Sequence, residues 1–149
     1  MKLELKYLAP YLPYKLKVQT EHIEGNRIYT LEGLSAKYDR VDLDDDYGWS
    51  YIGGIKPILR PLSDLTKEIN LHDNFFAIPI ENMTGYKLEG NISDAPTTVQ
   101  HLYKCSKGEI EAKFLDYWVI VQLLEWHFDI FNLIKNNLAI DINTINTIK

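Results

Sequence analysis

The longest helix-like pattern of apolar residues lies near the C-terminus, over residues 116–137. A narrow polar stripe runs along it at about 100° per residue, formed by Gln122, Glu125, Asp129, Asn132 and Asn136. Nearly all other positions in this segment are large and apolar. The pattern therefore predicts one long helix that is buried over most of its circumference.

His127 falls in the middle of the apolar face of this predicted helix. An enclosed neutral imidazole must hydrogen-bond through its ring nitrogens, because an unpaired group costs about 1–3 kcal/mol. A backbone carbonyl of the sheet, or a carboxylate such as Asp64, would satisfy it and fix one tautomer. We expect a structural histidine that fixes how the helix docks. The alternative, a hydrolase or metal site, requires an open cleft where a carboxylate faces the ring.

The first half of the chain alternates polar and apolar residues with the period of β-strands. Strands are predicted over 15–20, 27–32, 38–43 and 49–59. Gly25-Asn26 is typical of a turn, Gly53-Gly54 indicates a bulge or a sharp bend, and Pro57 favours a sheet edge. Together these segments predict a four-stranded antiparallel meander that is curled like a small barrel.

The remaining segments complete the predicted fold. Short helices are expected at 4–9 and 63–69, an edge strand at 75–80, a loop at 81–98, and a docked extended tail at 138–148; residues 98–114 fit either a strand or a helix. The sequence thus predicts a single domain, residues 1–149, of the α+β class. Its small antiparallel, barrel-like sheet would be covered by the long C-terminal helix. The predicted core contains Leu16, Val18, Ile28, Leu31, Ile58, Leu62, Leu65, Val119, Ile120, Leu123, Leu124, Ile130, Phe131 and Ile134.

Composition narrows the classes of partner and compartment. The net charge of −5 gives no long-range attraction to phosphate backbones or anionic membranes. Cys105 is the only cysteine, so no disulfide can form within the chain. The N-terminus lacks the apolar core of a signal peptide, and the longest apolar run, 117–121, is too short to cross a membrane. We therefore expect a cytoplasmic protein.

Motifs for catalysis or for metal binding are missing or incomplete. The chain has no nucleophile elbow, phosphate-binding loop or dinucleotide fingerprint. The acidic run 42–48 begins like a calcium loop, but its glycine is displaced and position 12 is Gly53 rather than a glutamate. His101 and Cys105 have helical spacing without the third ligand that zinc requires. The sequence favours a noncatalytic protein with neither cofactor nor metal.

Aromatic residues give two candidate binding surfaces. Tyr29, Trp49 and Tyr51, with Lys56 nearby, would form a sheet face able to stack bases of single-stranded nucleic acid. The more ordinary interpretation is that these rings form cross-strand pairs. The predicted helix has more apolar surface than a small sheet can cover, so a protein partner or self-association would cover Trp118 and Trp126.

Four sequence blocks resemble a family of small uncharacterised proteins that are encoded in bacterial prophage and phage-like regions. The blocks are Leu8-Ala-Pro-Tyr-Leu-Pro-Tyr14, Ile55-Lys-Pro-Ile-Leu-Arg-Pro-Leu-Ser-Asp-Leu65, Leu124-Glu-Trp-His-Phe-Asp129 and Leu138-Ala-Ile-Asp-Ile-Asn143. The resemblance implies a genomic setting and supplies no activity or site residue. We therefore expect a phage-associated protein-interaction module, with a nucleic-acid-binding accessory protein as the alternative.

Overall fold

The chain folds into two compact units. The computed structural model describes residues 1–21, 25–44 and 48–145. Unit 1 contains the described residues of Met1–Leu59 and Phe131–Ile148, and unit 2 contains Arg60–Ile130. The prediction that residues 1–149 form a single domain stays a prediction. No helix in the described ranges is long and apolar enough to cross a membrane.

Unit 1 is built on a mixed six-stranded sheet. Its strands are β1 (Lys17–Thr20), β2 (Arg27–Ser35), β3 (Arg40–Leu43), β4 (Gly48–Tyr51), β5 (Ile55–Leu59) and β8 (Ile140–Asp141). The spatial order is β4-β3-β2-β1-β5-β8, with β5 and β8 parallel and every other pair antiparallel. The predicted meander is therefore present as β1–β4, and the predicted docking of the tail is present as β8.

The prediction of a curled, barrel-like sheet is wrong. The chain turns through a short 3-10 helix, Ile52–Gly54, and returns as β5 beside β1, on the far side from β4. β4 and β8 therefore form two separate edges, and the sheet stays open. β5 lies inside the sheet, but Pro57 itself has a strand partner on the β1 side only. The sheet tolerates it because β8 pairs only with Ile58 and Leu59, beyond the proline that lacks an N–H.

The N-terminal segment forms the predicted short helix and proline elbow. α1 (Leu5–Leu8) continues into a 3-10 helix, Ala9–Tyr14, because Pro10 and Pro13 cannot donate the hydrogen bonds of a longer α-helix. Leu8 and Tyr11 are fully buried. The ring of Phe131 packs 5.3 Å from that of Tyr7 and 6.2 Å from that of Tyr11, which holds the elbow against the C-terminal part of unit 1.

Unit 2 consists of short helices and one hairpin. Its elements are β6 (Ile69–His72), β7 (Phe75–Ala77), α2 (Pro79–Thr84), α3 (Thr97–Ser106) and α4 (Tyr117–Glu125), with 3-10 helices at Leu62–Thr66, Ile92–Asp94 and Ala112–Phe114. The core of the unit is formed by Leu65, Ile80, Ala95, Val99, Leu102, Cys105, Ala112, Leu115, Val119, Leu123 and Phe128. Residues 98–114, which the sequence left open, are mainly helical.

The prediction of one long helix over 116–137 is also wrong. α4 ends at Glu125, and His127 adopts a left-handed φ of 60°. The His127 N–H donates to the Leu124 carbonyl at 3.0 Å, and the Phe128 N–H donates to the Leu123 carbonyl at 2.9 Å. This pair of bonds is a Schellman motif, which closes a helix and turns the chain away. Asn132 and Asn137 adopt left-handed conformations further along the same segment.

Most of the predicted core is buried, although in two units rather than one. Buried members are Leu16, Val18, Leu31, Ile58, Leu65, Val119, Leu123 and Leu124. The partly buried members are Ile28, Leu62, Ile120, Ile130, Phe131 and Ile134. The sequence predicts that the long helix covers the sheet. Val119 and Leu123 of α4 instead belong to the core of unit 2. Of the predicted fold class, only the α+β assignment is correct.

Candidate interaction surfaces

The residues of the predicted nucleic-acid surface do not come together. Tyr29 is paired with fully buried Val18, so it lies on the core side of the sheet. Trp49 and Tyr51 lie on the opposite side, because their β3 partners alternate with buried Val41 and Leu43. Tyr29 therefore lies on one face of the sheet, whereas Trp49 and Tyr51 lie on the other.

Lys56 shares the outer face with Trp49, but it lies on β5, which pairs with β1 and β8 and not with β4. The Lys56 ammonium donates instead to the Asn137 side-chain oxygen at 3.1 Å. Nucleic-acid binding thus gains no support from this arrangement, and it stays a prediction of the sequence.

Trp49 and Tyr51 belong to an aromatic group that we call the sheet-edge cluster, formed by Tyr38, Arg40, Trp49 and Tyr51. The Arg40 guanidinium carbon lies 5.0 Å from the centre of the Tyr38 ring and 4.9 Å from the centre of the Trp49 ring. Trp49 and Tyr51 meet edge to face at 5.0 Å. Cation–π attraction and the edge-to-face contact fix the rings in place. The three rings nonetheless keep 53%, 45% and 64% of their surface exposed.

The charges around the sheet-edge cluster have both signs. Register places Asp42 opposite Trp49 and Arg40 opposite Tyr51, all on the outer face. Asp44 follows β3, and its carboxylate accepts a hydrogen bond from the Thr30 N–H at 2.7 Å. The acidic end of β4 is therefore the Gly48 end, whereas Lys37 and Arg40 lie towards the Tyr51 end. Such a field does not attract a phosphate backbone as a whole.

Unit 2 carries a second exposed aromatic group, the helix-start patch, formed by Phe114, Tyr117 and Trp118. Their exposed fractions are 66%, 81% and 50%. Phe114 ends a 3-10 helix, and the two other residues form the first turn of α4, after the N-cap residue Asp116. The Thr98 hydroxyl donates to the Asp116 carboxylate at 3.3 Å, which ties this turn to α3.

The structure separates the two tryptophans that the sequence grouped together. Trp118 lies in the helix-start patch, whereas Trp126 is half-buried at the other end of α4 and packs against the core of unit 2. At 1.5 Å per residue, their positions are about 12 Å apart along the helix. Trp118 alone of the two is available as a large exposed surface.

His127 lies just past the end of α4 rather than in the middle of a helix. The residue is half-buried and forms the left-handed turn after α4. Its backbone carbonyl accepts a hydrogen bond from the Arg60 N–H at 2.8 Å, and the Asp129 N–H donates to the Arg60 carbonyl at 2.9 Å. The turn at His127 therefore places Phe128 beside Arg60, and the two residues form an isolated parallel β-bridge.

The candidate metal ligands do not gather into a site in the described ranges. No group of three or more His, Cys, Asp or Glu side chains lies close enough there to hold an ion. His101 and Cys105 lie on α3, and Cys105 is buried in the core of unit 2. Burial raises the pKa of the Cys105 thiol to about 11, so the residue behaves as a small apolar group. Asp45, Asp46 and Tyr47 of the acidic run lie outside the described residues.

No protein-family model, no curated protein and no solved structure matches this chain. The site must therefore be read from its own geometry. Sequence reasoning missed Phe114 and Tyr117, although Asp116 before an apolar run is a recognisable helix start. It also missed Arg40, whose position between two rings depends on the register of β3 and β4.

Proposed function

We propose that this chain is a noncatalytic protein-interaction module that binds its partner through the helix-start patch. The observation that supports this most is the exposure of Phe114, Tyr117 and Trp118 within five residues of chain. Tryptophan and tyrosine are enriched among the residues that dominate binding energy at protein interfaces. Large exposed apolar patches on soluble proteins are typical of such interfaces.

The patch is separate from the residues that hold unit 2 together. Leu115, which follows Phe114, and Val119, which follows Trp118, are buried in the core, with 7% and 0% exposure. The first turn of α4 thus has one side that folds the unit and another that faces solvent. Removing an exposed ring should leave the fold intact, which makes the proposal testable by substitution.

We further propose that the protein acts in the cytoplasm and comes from a prophage or phage-like region. The four sequence blocks that end at Tyr14, Leu65, Asp129 and Asn143 support the genomic setting. The single cysteine, Cys105, is in keeping with a reducing compartment. Both statements concern the setting and not the chemistry.

The experiment compares tagged protein with a Tyr117→Ala/Trp118→Ala variant in pull-downs from induced cells. Phe76→Ala is the matched control, because Phe76 is an aromatic residue of unit 2 with 59% exposure outside the patch. We expect the wild type and the control to retain the same partner and the double variant to lose it. With purified partner, the affinity should fall by at least about tenfold, which corresponds to a loss of about 1.4 kcal/mol of binding free energy. Unchanged binding by the folded double variant would overturn the proposal.

A further inference from the structure

The backbone of β4 has hydrogen-bonding groups that point away from the sheet. In an antiparallel pair, residues that exchange hydrogen bonds alternate along the ladder with residues that do not. The Ile52 N–H donates to the Asp39 carbonyl at 3.3 Å, and this pair continues the register in which Ser50 opposes Val41. Ser50 therefore bonds inward to β3, whereas Trp49 and Tyr51 direct their N–H and C=O groups outward.

We infer that a second copy of this chain pairs with β4, edge to edge and antiparallel, about a two-fold axis at Ser50. Trp49 of each copy then lies opposite Tyr51 of the other, and both pairs exchange backbone hydrogen bonds. The two outward-facing residues flank Ser50 symmetrically, so the edge is complementary to itself. Such self-complementarity is the requirement for a closed two-fold interface.

The side chains of the sheet-edge cluster fit the same arrangement. Trp49 and Tyr51 lie on one face of the sheet, so the two cross-copy pairs would place four aromatic rings in one layer. Aromatic pairs directly opposite each other stabilise antiparallel strands. Their 45% and 64% exposed fractions give surface that the second copy can bury.

Charge favours an antiparallel pairing over a parallel one. The Gly48 end of β4 lies towards Asp42 and Asp44. The Tyr51 end lies towards Lys37 and Arg40. The negative charge of Asp39 offsets one of these two positive charges. A two-fold axis at Ser50 places the acidic end of one strand beside the cationic end of the other. A parallel pairing would place like charges together.

This dimer goes beyond the proposed function, because it uses unit 1 and none of the residues of the helix-start patch. Its interface is one short strand, so the association should be weak and dependent on concentration. An exposed edge of this kind commonly pairs with another strand unless charge or shape prevents it. The two proposals therefore stand or fall separately.

The first experiment is sedimentation velocity of the full chain over about a hundredfold range of concentration. Tyr51 has φ −66° and ψ 147°, values that proline adopts without strain, and its N–H points outward. Tyr51→Pro should therefore remove the outward donor while keeping the fold. Tyr51→Ala is the matched control that loses the ring and keeps the donor. We expect dimerisation by the wild type, weaker dimerisation by Tyr51→Ala, and none by Tyr51→Pro.

A second experiment does not depend on the folding of the proline variant. In the inferred register, Ser50 opposes Ser50 of the second copy without hydrogen bonds, at a Cα separation of about 4.5 Å that a disulfide can span. Ser50→Cys should form a covalent dimer on mild oxidation with oxidised glutathione. Tyr51→Cys, which is more exposed but opposes Trp49, should do so much more slowly.

A monomer at every concentration, or equal cross-linking of the two variants, would overturn the inference, as would a partner peptide that occupies β4 without dimerisation. Trp118→Ala should leave both measurements unchanged.

Discussion

Unit 1 and unit 2 are each stabilised internally in a different way. In unit 1, six strands are joined by backbone ladders whose register decides which side chains share a face. In unit 2, helices of ten residues or fewer and a two-stranded hairpin surround a cluster of side chains. In unit 1 the direction of the side chains repeats every two residues along a strand. In unit 2 the packing depends on where each short helix ends. Register therefore decides the geometry of unit 1, and helix ends decide that of unit 2.

The same contrast separates the two aromatic surfaces. The sheet-edge cluster offers rings together with outward backbone groups, so it can recognise another strand. In the helix-start patch the backbone belongs to a helix turn, so binding there depends on burial of the rings. We therefore expect a partner that binds one of these surfaces not to bind the other.

Phe128→Ala should destabilise the protein most, because it removes a fully buried ring from the core of unit 2. We expect the free energy of unfolding to fall by about 3–5 kcal/mol, as for other Phe→Ala changes in cores. Urea denaturation followed by circular dichroism measures it. Phe131→Ala, three positions along and in unit 1, is the matched control. Its ring is only half-buried, so the loss should be about half as large. A greater loss for Phe131→Ala would contradict the assignment of the two cores.

The strands of unit 1 were largely readable from the sequence, and the helices of unit 2 were not. Alternation over 15–20 and 27–32 predicts β1 and β2, because the period of two survives in any half-buried strand. β8 was foreseen only as a docked tail, since its pairing with β5 joins residues about eighty positions apart. The open sheet could not be foreseen either, because the side of the sheet on which β5 returns is decided by tertiary packing.

The end of α4 shows why the longest predicted helix failed. The letters Leu124 to Phe128 continue a helical pattern, and no glycine or proline interrupts them. The chain leaves the helix at His127 because Phe128 and Asp129 pair with Arg60, and that pairing cannot be seen in local periodicity. The same error placed His127 inside a helix rather than in a left-handed turn. It also hid the division between Trp118, which is exposed, and Trp126, which packs on the core.

The reactivity of Cys105 reports on whether the core of unit 2 is closed. Its pKa of about 11 exceeds the ordinary value of 9.0, which lowers the thiolate fraction at pH 8 by about a hundredfold. We expect iodoacetamide to modify the native protein at least about a hundredfold more slowly than the urea-unfolded protein. A Cys105→Ser/Lys107→Cys variant moves the thiol to an exposed position and should react rapidly. Comparable native and unfolded rates for Cys105 would show that the core is open.

The raised pKa of Cys105 also gives a dependence of stability on pH. The unfolded chain releases the thiol proton near pH 9, whereas the folded chain holds it until about pH 11. The unfolded state therefore binds fewer protons between these values, and stability falls as pH rises through this window. Below pH 9 both states keep the proton, so the thiol makes no difference there. Cys105→Ala should show a smaller fall in urea midpoint between pH 9 and 10.5 than the wild type.

The smallest predicted effect distinguishes backbone from side chain at His127. With φ at 60°, any residue that carries a Cβ is strained there, and glycine is not. His127→Gly and His127→Ala both remove the imidazole and its contacts, so their difference isolates the backbone. We expect the glycine variant to be more stable than the alanine variant by about 1 kcal/mol, measured by urea denaturation. The same pair of substitutions at Leu123, inside α4, should have the opposite sign, because glycine is the poorer helix former. If alanine proved the more stable at both positions, α4 would run on through His127, and the division between a unit defined by register and a unit defined by helix ends would fail.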